Sequence, residues 1–372
     1  MGIGVGTNGN TGEIGLQEAG LPPGETMVTV QEIYDRLREV SDPALDGDLV
    51  SLGLVTDVEV TNDTVDISLA FNAPLSPVEG SMCEEIRELY RNEGFDVRLY
   101  ADTDHSHEPL SSVKNVVAVV SEQAGVGKTT AAANLAAGLE TIGARVGVLD
   151  ADPREKIGPL SAEPDRTEDG LIVPPEWEGI SLFSIGVHLP ETDASVSTCS
   201  ELQLVLTQLL GSVQWGPLDY LVVNMPPGWD ATNDIIVRTV PVTGAVVVTA
   251  PFGDLDERAM VIERLEKRSV DVLGAVENLH TVRCPDCGDE HTAGGAVDDD
   301  RLDAADDSDL DPIGSIPLDV ELLAPRDANL VELPTEGLTG ERFTELAAAV
   351  ADRVGAVNRS ESSDTHSADI TS

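Results

Sequence analysis

The chain has 372 residues, 68 of them acidic against 22 basic, for a formal net charge of −46. A hydrophobic content of 41% is enough to build packed cores and excludes a disordered acidic chain. So little positive charge also excludes non-specific binding to nucleic acid, which needs Lys and Arg to displace counterions.

The acids are spread over the whole length instead of gathering in a tail. That spread reads as adaptation to molar salt inside the cell, a halophilic protein, because in ~1 M salt the Debye length falls to about 3 Å and self-repulsion is screened. No apolar run approaches the roughly 20 residues of a membrane helix, and no signal peptide is visible, so a cytoplasmic protein without membrane contact is expected. Four cysteines are too few for a disulfide scaffold, and in a reducing compartment a close pair reads as a metal or redox site. The length predicts two domains or slightly more.

Residues 1–26 are Gly-rich and aperiodic and read as a disordered leader, with Met27 a second candidate start. Residues 27–101 read as a small α/β domain. It has an amphipathic helix over 31–40, alternating strands over 55–60 and 65–71, a second helix over 82–92 and a third strand over 96–100. The phrase Ser41-Asp42-Pro43-Ala44-Leu45, continued by Asp48-Leu49-Val50-Ser51-Leu52-Gly53-Leu54-Val55, resembles the PaaD-like family of metal–sulfur cluster assembly domains. That family often carries a cysteine in the loop after the second strand, where this chain has Ala73-Pro74-Leu75-Ser76-Pro77. Cys83, on the following helix, reads as a core residue. Residues 102–112 form an acidic linker in which His105 and His107 read as a solvated pair.

Residues 113–120 are a nearly unbroken, β-branched apolar run, the pattern of a buried parallel strand. The loop Ser121-Glu122-Gln123-Ala124-Gly125-Val126-Gly127-Lys128-Thr129-Thr130 follows, then an Ala-rich helix over 131–139 that stops near Gly143. Strand, loop and helix in this order form the phosphate-binding device of P-loop NTPases. Loop N–H groups and the helix N-terminus cradle the anion, Lys128 neutralises it, and the Thr129 hydroxyl ligates Mg²⁺. Strands and helices alternate through residues 113–357, which predicts a doubly wound parallel sheet of the α/β class.

The usual loop has Gly six residues before the Lys, and this chain has Glu122. The loop nevertheless resembles the deviant P-loop of the MinD/ParA-like group, Gly-Lys-Gly-Gly-Val-Gly-Lys-Ser/Thr. The match is good from Gly125 to Thr130, while Glu122, Gln123 and Ala124 stand in place of the first three residues. The resemblance implies nucleotide contacts along Gln123, Ala124, Gly125, Val126, Gly127, Lys128, Thr129 and Thr130. In that group the lost lysine reaches across a dimer to the partner's nucleotide, a charge that Gln123 does not supply.

A strand over 145–149 ends in Asp150-Ala151-Asp152, at the strand end where such sheets bind ligands. The resemblance implies that Asp150 and Asp152 position the attacking water and the Mg²⁺ shell; the plain alternative is that they cap the following turn. A further buried strand runs through Asp219-Tyr220-Leu221-Val222-Val223 into Asn224-Met225-Pro226-Pro227-Gly228. It resembles the Walker B segment Asp-Leu-Pro-Pro-Gly of the same group, with Asn224 in place of the aspartate. An amide still binds a metal-held water but removes one negative charge from the Mg²⁺ shell. Glu122, Gln123 and Asn224 all depart toward weaker hydrolysis.

The apolar segment 272–280, ending Glu277-Asn278-Leu279-His280, is followed by Cys284-Pro285-Asp286-Cys287-Gly288 and later by Ile313-Gly314-Ser315-Ile316-Pro317-Leu318. These segments resemble the Mrp/ApbC family of P-loop iron–sulfur cluster carriers. With the front domain, the resemblance covers most of residues 28–355. It implies that Asn278 contacts adenine, and that Cys284 and Cys287 supply two of the four thiolates of a [4Fe–4S] cluster bridging a homodimer. Apo iron–sulfur proteins and a cluster assembly scaffold are the implied partners. Three readings of the cysteine pair stay open: the bridging cluster, a single Zn²⁺ held with His280 and His291, or an unliganded loop or labile dithiol. Cys199 reads as packing, the acidic run 298–311 as a solvated loop, and residues 358–372 as a disordered acidic tail. The expected function is an ATP-binding cluster carrier with weak or lost hydrolysis; the alternative is a degenerate MinD/ParA-like regulator that binds nucleotide but no cluster.

Circular dichroism during dialysis is expected to show the fold loosening as salt drops well below molar, since the screening length grows from about 3 Å at ~1 M to about 10 Å at ~0.1 M. Unchanged secondary structure and melting temperature at ~0.1 M would remove the halophile reading.

Overall fold

The computed structural model describes residues 29–61, 64–71, 73, 76–91, 96–101, 110, 112–152, 164–188, 206, 208–283, 290–292, 310–318 and 337–370. The leader, both linker histidines, Cys199, Cys284, Cys287 and most of the acidic run lie outside them.

The front of the chain forms helix α1 (Val30–Leu37), a small ladder β1 (Ser41–Asp42) and β2 (Gly47–Asp48), strands β3 (Val55–Thr61) and β4 (Thr64–Leu69), helix α2 (Pro77–Tyr90) and strand β5 (Asp96–Ala101). Thr29 and Glu32 close a capping box on α1, and Ile33 and Leu37, one turn apart, are its buried residues. Helix α2 begins five residues before the expected start. The Ser76 side chain accepts from the Glu79 N–H at 3.2 Å and Pro77 takes the first turn, a start signal worth about 1 kcal/mol at the cap alone. β3 and β4 pair antiparallel and β4 and β5 parallel, with both helices packed on one core of Ile33, Leu37, Val65, Ile67, Met82 and Ile86. Cys83 packs half-buried against it, and burial pushes its thiol up.

Strand β6 (Val113–Ser121) then opens the large sheet, followed by α3 (Lys128–Thr141), β7 (Val146–Asp150), the short strands β8 (Asp165–Arg166), β9 (Ile172–Val173) and β10 (Glu176–Trp177), and β11 (Ile180–Ser184) with α4 (Ile185–His188). After these come β12 (Leu218–Asn224), α5 (Ala231–Thr239), β13 (Gly244–Thr249), α6 (Leu255–Glu266), β14 (Val272–Arg283), β15 (Glu290–Thr292), β16 (Pro312–Leu318) and α7 (Gly337–Ile370). The sheet order is β10-β11-β7-β12-β6-β13-β14-β15, with β16 also on β14. All of its pairings are parallel except those of β10 and β15. β6 is central, and the chain winds to one side of it through β7 and β11 and to the other through β13 and β14. Val117 and Val119 of β6 face one core, shared with α3 and α7, while Val116, Ala118 and Val120 face the other. Burial on both faces is why this strand reads as a continuous apolar run. α3 and α7 approach closely at Gly138, where a Cβ would meet the Phe343 carbonyl at 2.5 Å. Among the described residues no helix is long and apolar enough to cross a membrane.

The expected disordered tail is corrected by α7, which continues through Ile370. Beyond the apolar core shared with α3, α7 is also held by charge. Arg359 is fully buried, donating from Nε to Asp42 Oδ2 at 2.5 Å and from Nη1 to Glu79 Oε1 at 2.7 Å, with its guanidinium 5.9 Å from the Phe71 ring centroid. Gly355 keeps the approach open, since a Cβ there would lie 2.6 Å from Arg359 Nη1 and 2.7 Å from Glu79 Oε1. Two turns before Arg359, Asp352 Oδ1 accepts from the Ser76 hydroxyl at 2.6 Å and the Val78 N–H at 2.8 Å. Asn358 donates to Asn115 Oδ1, near the start of β6, at 2.9 Å.

Arg359→Met leaves Asp42 and Glu79 buried without their cation and is expected to cost about 3–5 kcal/mol in denaturant unfolding. Burial, opposed by Arg359, pushes the Glu79 carboxyl from its usual 4.5 up to about 7. The folded state therefore binds the extra proton, so this group's stabilisation is full below pH 4.5 and is lost as pH rises through about 7. Stability measured across that window should fall in the native chain and flatten in Glu79→Gln.

Candidate nucleotide site

The site forms where β6, β7 and β12 end side by side. Parallel register sets Asn224 level with Asp150 on one flank and Val119 on the other. Beyond β6 the loop turns on Gly125 and Gly127, with φ of +86° and +87°, the left-handed region glycine tolerates. Gly127 caps α3, and the Ala131 N–H bonds its carbonyl at 2.9 Å. The N–H groups of the first turn have no partner within the helix and face the anion site. Ser121 Oγ donates to the Gln123 carbonyl at 3.0 Å, while Ala124 and Gly125 are exposed at the rim.

Lys128 is the first residue of α3 and only 5% exposed. Its Nζ donates to Asn224 Oδ1 at 2.6 Å and lies 3.7 Å from Asp152 Oδ2. The Asn224 amide in turn donates to Asp150 Oδ1 at 2.9 Å and to Thr129 Oγ1 at 3.3 Å. Lys128, Thr129, Asp150, Asp152 and Asn224 are thus joined in one network. Ser184, the last residue of β11, completes it by donating to Asp150 Oδ2 at 3.2 Å. Sequence reasoning missed Ser184; its only signal is a hydroxyl closing a buried apolar strand that pairs in register with Asp150.

Asn278, on β14, is buried, and its Nδ2 donates to the Val126 carbonyl of the loop at 2.8 Å. It sits so close that a Cβ on Gly127 would lie 1.9 Å from Nδ2, so Gly127 is required for space as well as for φ. Glu122 is turned inward, away from the rim: it is buried beside Arg258, and burial pushes its carboxyl up. His280 is half-buried and its imidazole pKa is lowered by burial, while His291 is exposed on the neighbouring β15. Cys284 and Cys287, which lie between those two strands in the sequence, are outside the described residues.

Residues 112–351 match the family described as NUBPL iron-transfer P-loop NTPase, within the ParA group, and residues 30–91 match an iron–sulfur cluster assembly protein family. The chain is 34% identical over 338 residues to an iron-sulfur cluster carrier protein of Deinococcus radiodurans, covering 87% of this chain and 95% of that one. It is 36% identical over 255 residues to an iron-sulfur cluster carrier protein of Escherichia coli strain K12, covering 66% of this chain and 68% of that one. A nucleotide-binding protein in complex with ADP from Archaeoglobus fulgidus aligns with a TM-score of 0.47 at 25% identity, over 65% of this chain and 90% of that one. With the family's signature running from the start of the central strand into the last helix, and an assembly domain in front of it, this chain belongs to the NUBPL-type iron-transfer P-loop NTPases.

Proposed function

We propose that the chain is a homodimeric, cytoplasmic, ATP-binding carrier that receives an iron–sulfur cluster from an assembly scaffold and passes it to apo-proteins. The observation that carries the nucleotide half is the buried Lys128 ammonium, held by Asn224 and Asp152 beside the loop amides. A nucleotide phosphate would replace Asn224 as the partner of Lys128, Thr129 would offer a hydroxyl to Mg²⁺, and Asp150 and Asp152 would hold its water shell. Asn278, whose amide is already engaged by the loop, would lie at the base end. Because Asn224 is neutral, the Mg²⁺ shell lacks one negative charge, and Gln123 offers no lysine to a partner's nucleotide; hydrolysis is therefore slow. Family membership supports the cargo half, in which Cys284 and Cys287 of each subunit share one [4Fe–4S] cluster.

Isothermal titration with Mg·ATP tests the nucleotide half. Lys128→Ala should abolish binding, and so should Gly127→Ala, whose methyl would enter the space of the Asn278 amide. Asn224→Asp sets a second carboxylate against Asp150 and should weaken the nucleotide-free fold while raising Mg²⁺ dependence. Combined with Gln123→Lys it should raise turnover. Robust wild-type ATPase activity would remove the reading of impaired hydrolysis.

Anaerobic purification with iron, sulfide and zinc analysis tests the cargo half. The expected stoichiometry is about four iron and four sulfide per dimer. Cys284→Ser or Cys287→Ser should lower both cluster content and dimer. About one Zn²⁺ per chain, no sulfide, and sensitivity to His280→Ala and His291→Ala would overturn the carrier and leave a nucleotide-binding regulator.

A further inference from the structure

The first residue of the phosphate loop is the position that the group fills with glycine. Here it is Glu122, whose side chain has no exposure at all. Gly253 makes the room: a Cβ there would lie 1.9 Å from Glu122 Oε1. The cation facing the carboxylate is Arg258 of α6, itself buried, with Nη2 3.5 Å from Oε1. At that distance the charges attract without a well-made hydrogen bond. Among the described residues neither Glu122 oxygen nor Arg258 Nε has a hydrogen-bond partner, and the same is true of His280 Nε2 on β14. Burial lowers the His280 imidazole most, with the Glu277 carboxylate and, last, the Arg258 charge also acting on it.

Between Asn278 and His280 the strand is strained. Leu279 has a φ of +61°, a left-handed backbone for a branched residue. The register slips at the same place: 278 to 282 on β14 spans four residues, while its partners 316 to 318 on β16 span two. This is a bulge, the device that re-aims a strand next to a functional site. On its near side Asn278 donates to the Val126 carbonyl of the loop, and four residues earlier in that loop Glu122 is paired with Arg258 of α6. The loop is therefore tied to the bulge through Val126 and to α6 through Glu122. Three residues beyond His280 the strand ends at Arg283, next to Cys284 in sequence.

We propose that the Glu122–Arg258 pair and the Leu279 bulge form a latch that transmits occupancy of the phosphate loop to the strand leading into Cys284 and Cys287. Glu122 and Arg258 are positioning residues in this scheme. It rests on the nucleotide binding proposed above. An anion drawn onto the loop amides shifts the loop, and closing the 3.5 Å gap to hydrogen-bond length satisfies buried groups that are now without partners. That difference in contacts gives the two states of the latch different affinities for nucleotide, which a ligand-driven change requires.

The test is hydrogen exchange over residues 276–283 of the full chain, with and without Mg·ATP, alongside the affinity for Mg·ATP. The native chain should show exchange slowed by at least about fivefold, the low end of typical coupling between sites. The double variant Glu122→Gly with Arg258→Met removes both charges, so no lone buried ion remains to unfold the chain. It should bind nucleotide but lose the slowing, as should Leu279→Gly, which relaxes the bulge. Arg258→Lys keeps the charge and should keep the slowing; equal loss in the Lys and Met variants would mean packing alone and overturn the latch. Slowing that persists in the double variant, or that is missing in a native chain that binds Mg·ATP, overturns the latch and leaves nucleotide binding intact. A native chain with no affinity for Mg·ATP overturns both.

Discussion

A lysine ammonium buried at the end of a parallel sheet is the constraint around which this structure is arranged. Lys128 cannot be left without partners there, because an isolated charge in an apolar interior is strongly disfavoured. Its partners come from two other strands, Asn224 closing β12 and Asp152 just beyond β7. They meet the lysine only because β7, β12 and β6 are in parallel register, so that three strand ends stop at one level. The registers in turn depend on strands apolar on both faces, which have only one packed arrangement between two layers of helices. Site and core are thus one design: moving a strand by a residue would break its packing against the helix layers and separate the lysine from its partners.

The same network explains what an asparagine does in place of the Walker B acid. As built, the ammonium lies beside the Asp152 carboxylate, and Asn224 links it to Asp150 with an oxygen toward the lysine and a nitrogen toward Asp150. An aspartate could accept from Lys128 but could not donate to Asp150, and would add a third negative charge to a site with one positive. With Mg²⁺ present the balance reverses, because the metal draws carboxylates together. The asparagine therefore favours a well-ordered nucleotide-free site, in line with the slow hydrolysis proposed above.

Much of this was legible in the sequence because it is local. The apolar run over 113–120, the Gly-Lys-Thr after it and the Asp-x-Asp after the next strand each sit within a few residues, and the structure joins them. The start of α2 was equally local and was overlooked: Ser76 and Pro77 mark it. The tail was misread for a physical reason. Its composition is that of a solvated segment, but Arg359 is held by carboxylates 317 and 280 residues away in sequence, which no local pattern reveals. Glu122 reads as a defect of the loop until Arg258 and Gly253, on elements far along the chain, supply the charge and the space it needs. Ser184 likewise acquires meaning only from the register that sets it against Asp150.

β6 is fixed at both of its ends by such distant contacts. Asn358 of α7 holds Asn115 near its start, beside Arg359 and within two turns of Asp352, whose contacts dock the front of the chain. At its other end Met225 and Gly228, beyond β12, donate to the carbonyls of Val119 and Ser121. A strand buried on both faces and fastened at both ends does not absorb displacement by bending; close-packed interiors pass strain along. The freedom left near the phosphate loop lies where groups are still without partners or the backbone is strained: the gap between Glu122 and Arg258, and the left-handed turn at Leu279. Leu279 lies on β14, the strand that ends beside Cys284 in sequence. In the latch proposed above, the loop's freedom lies on this side, opposite the end of β6 that the docked front of the chain holds.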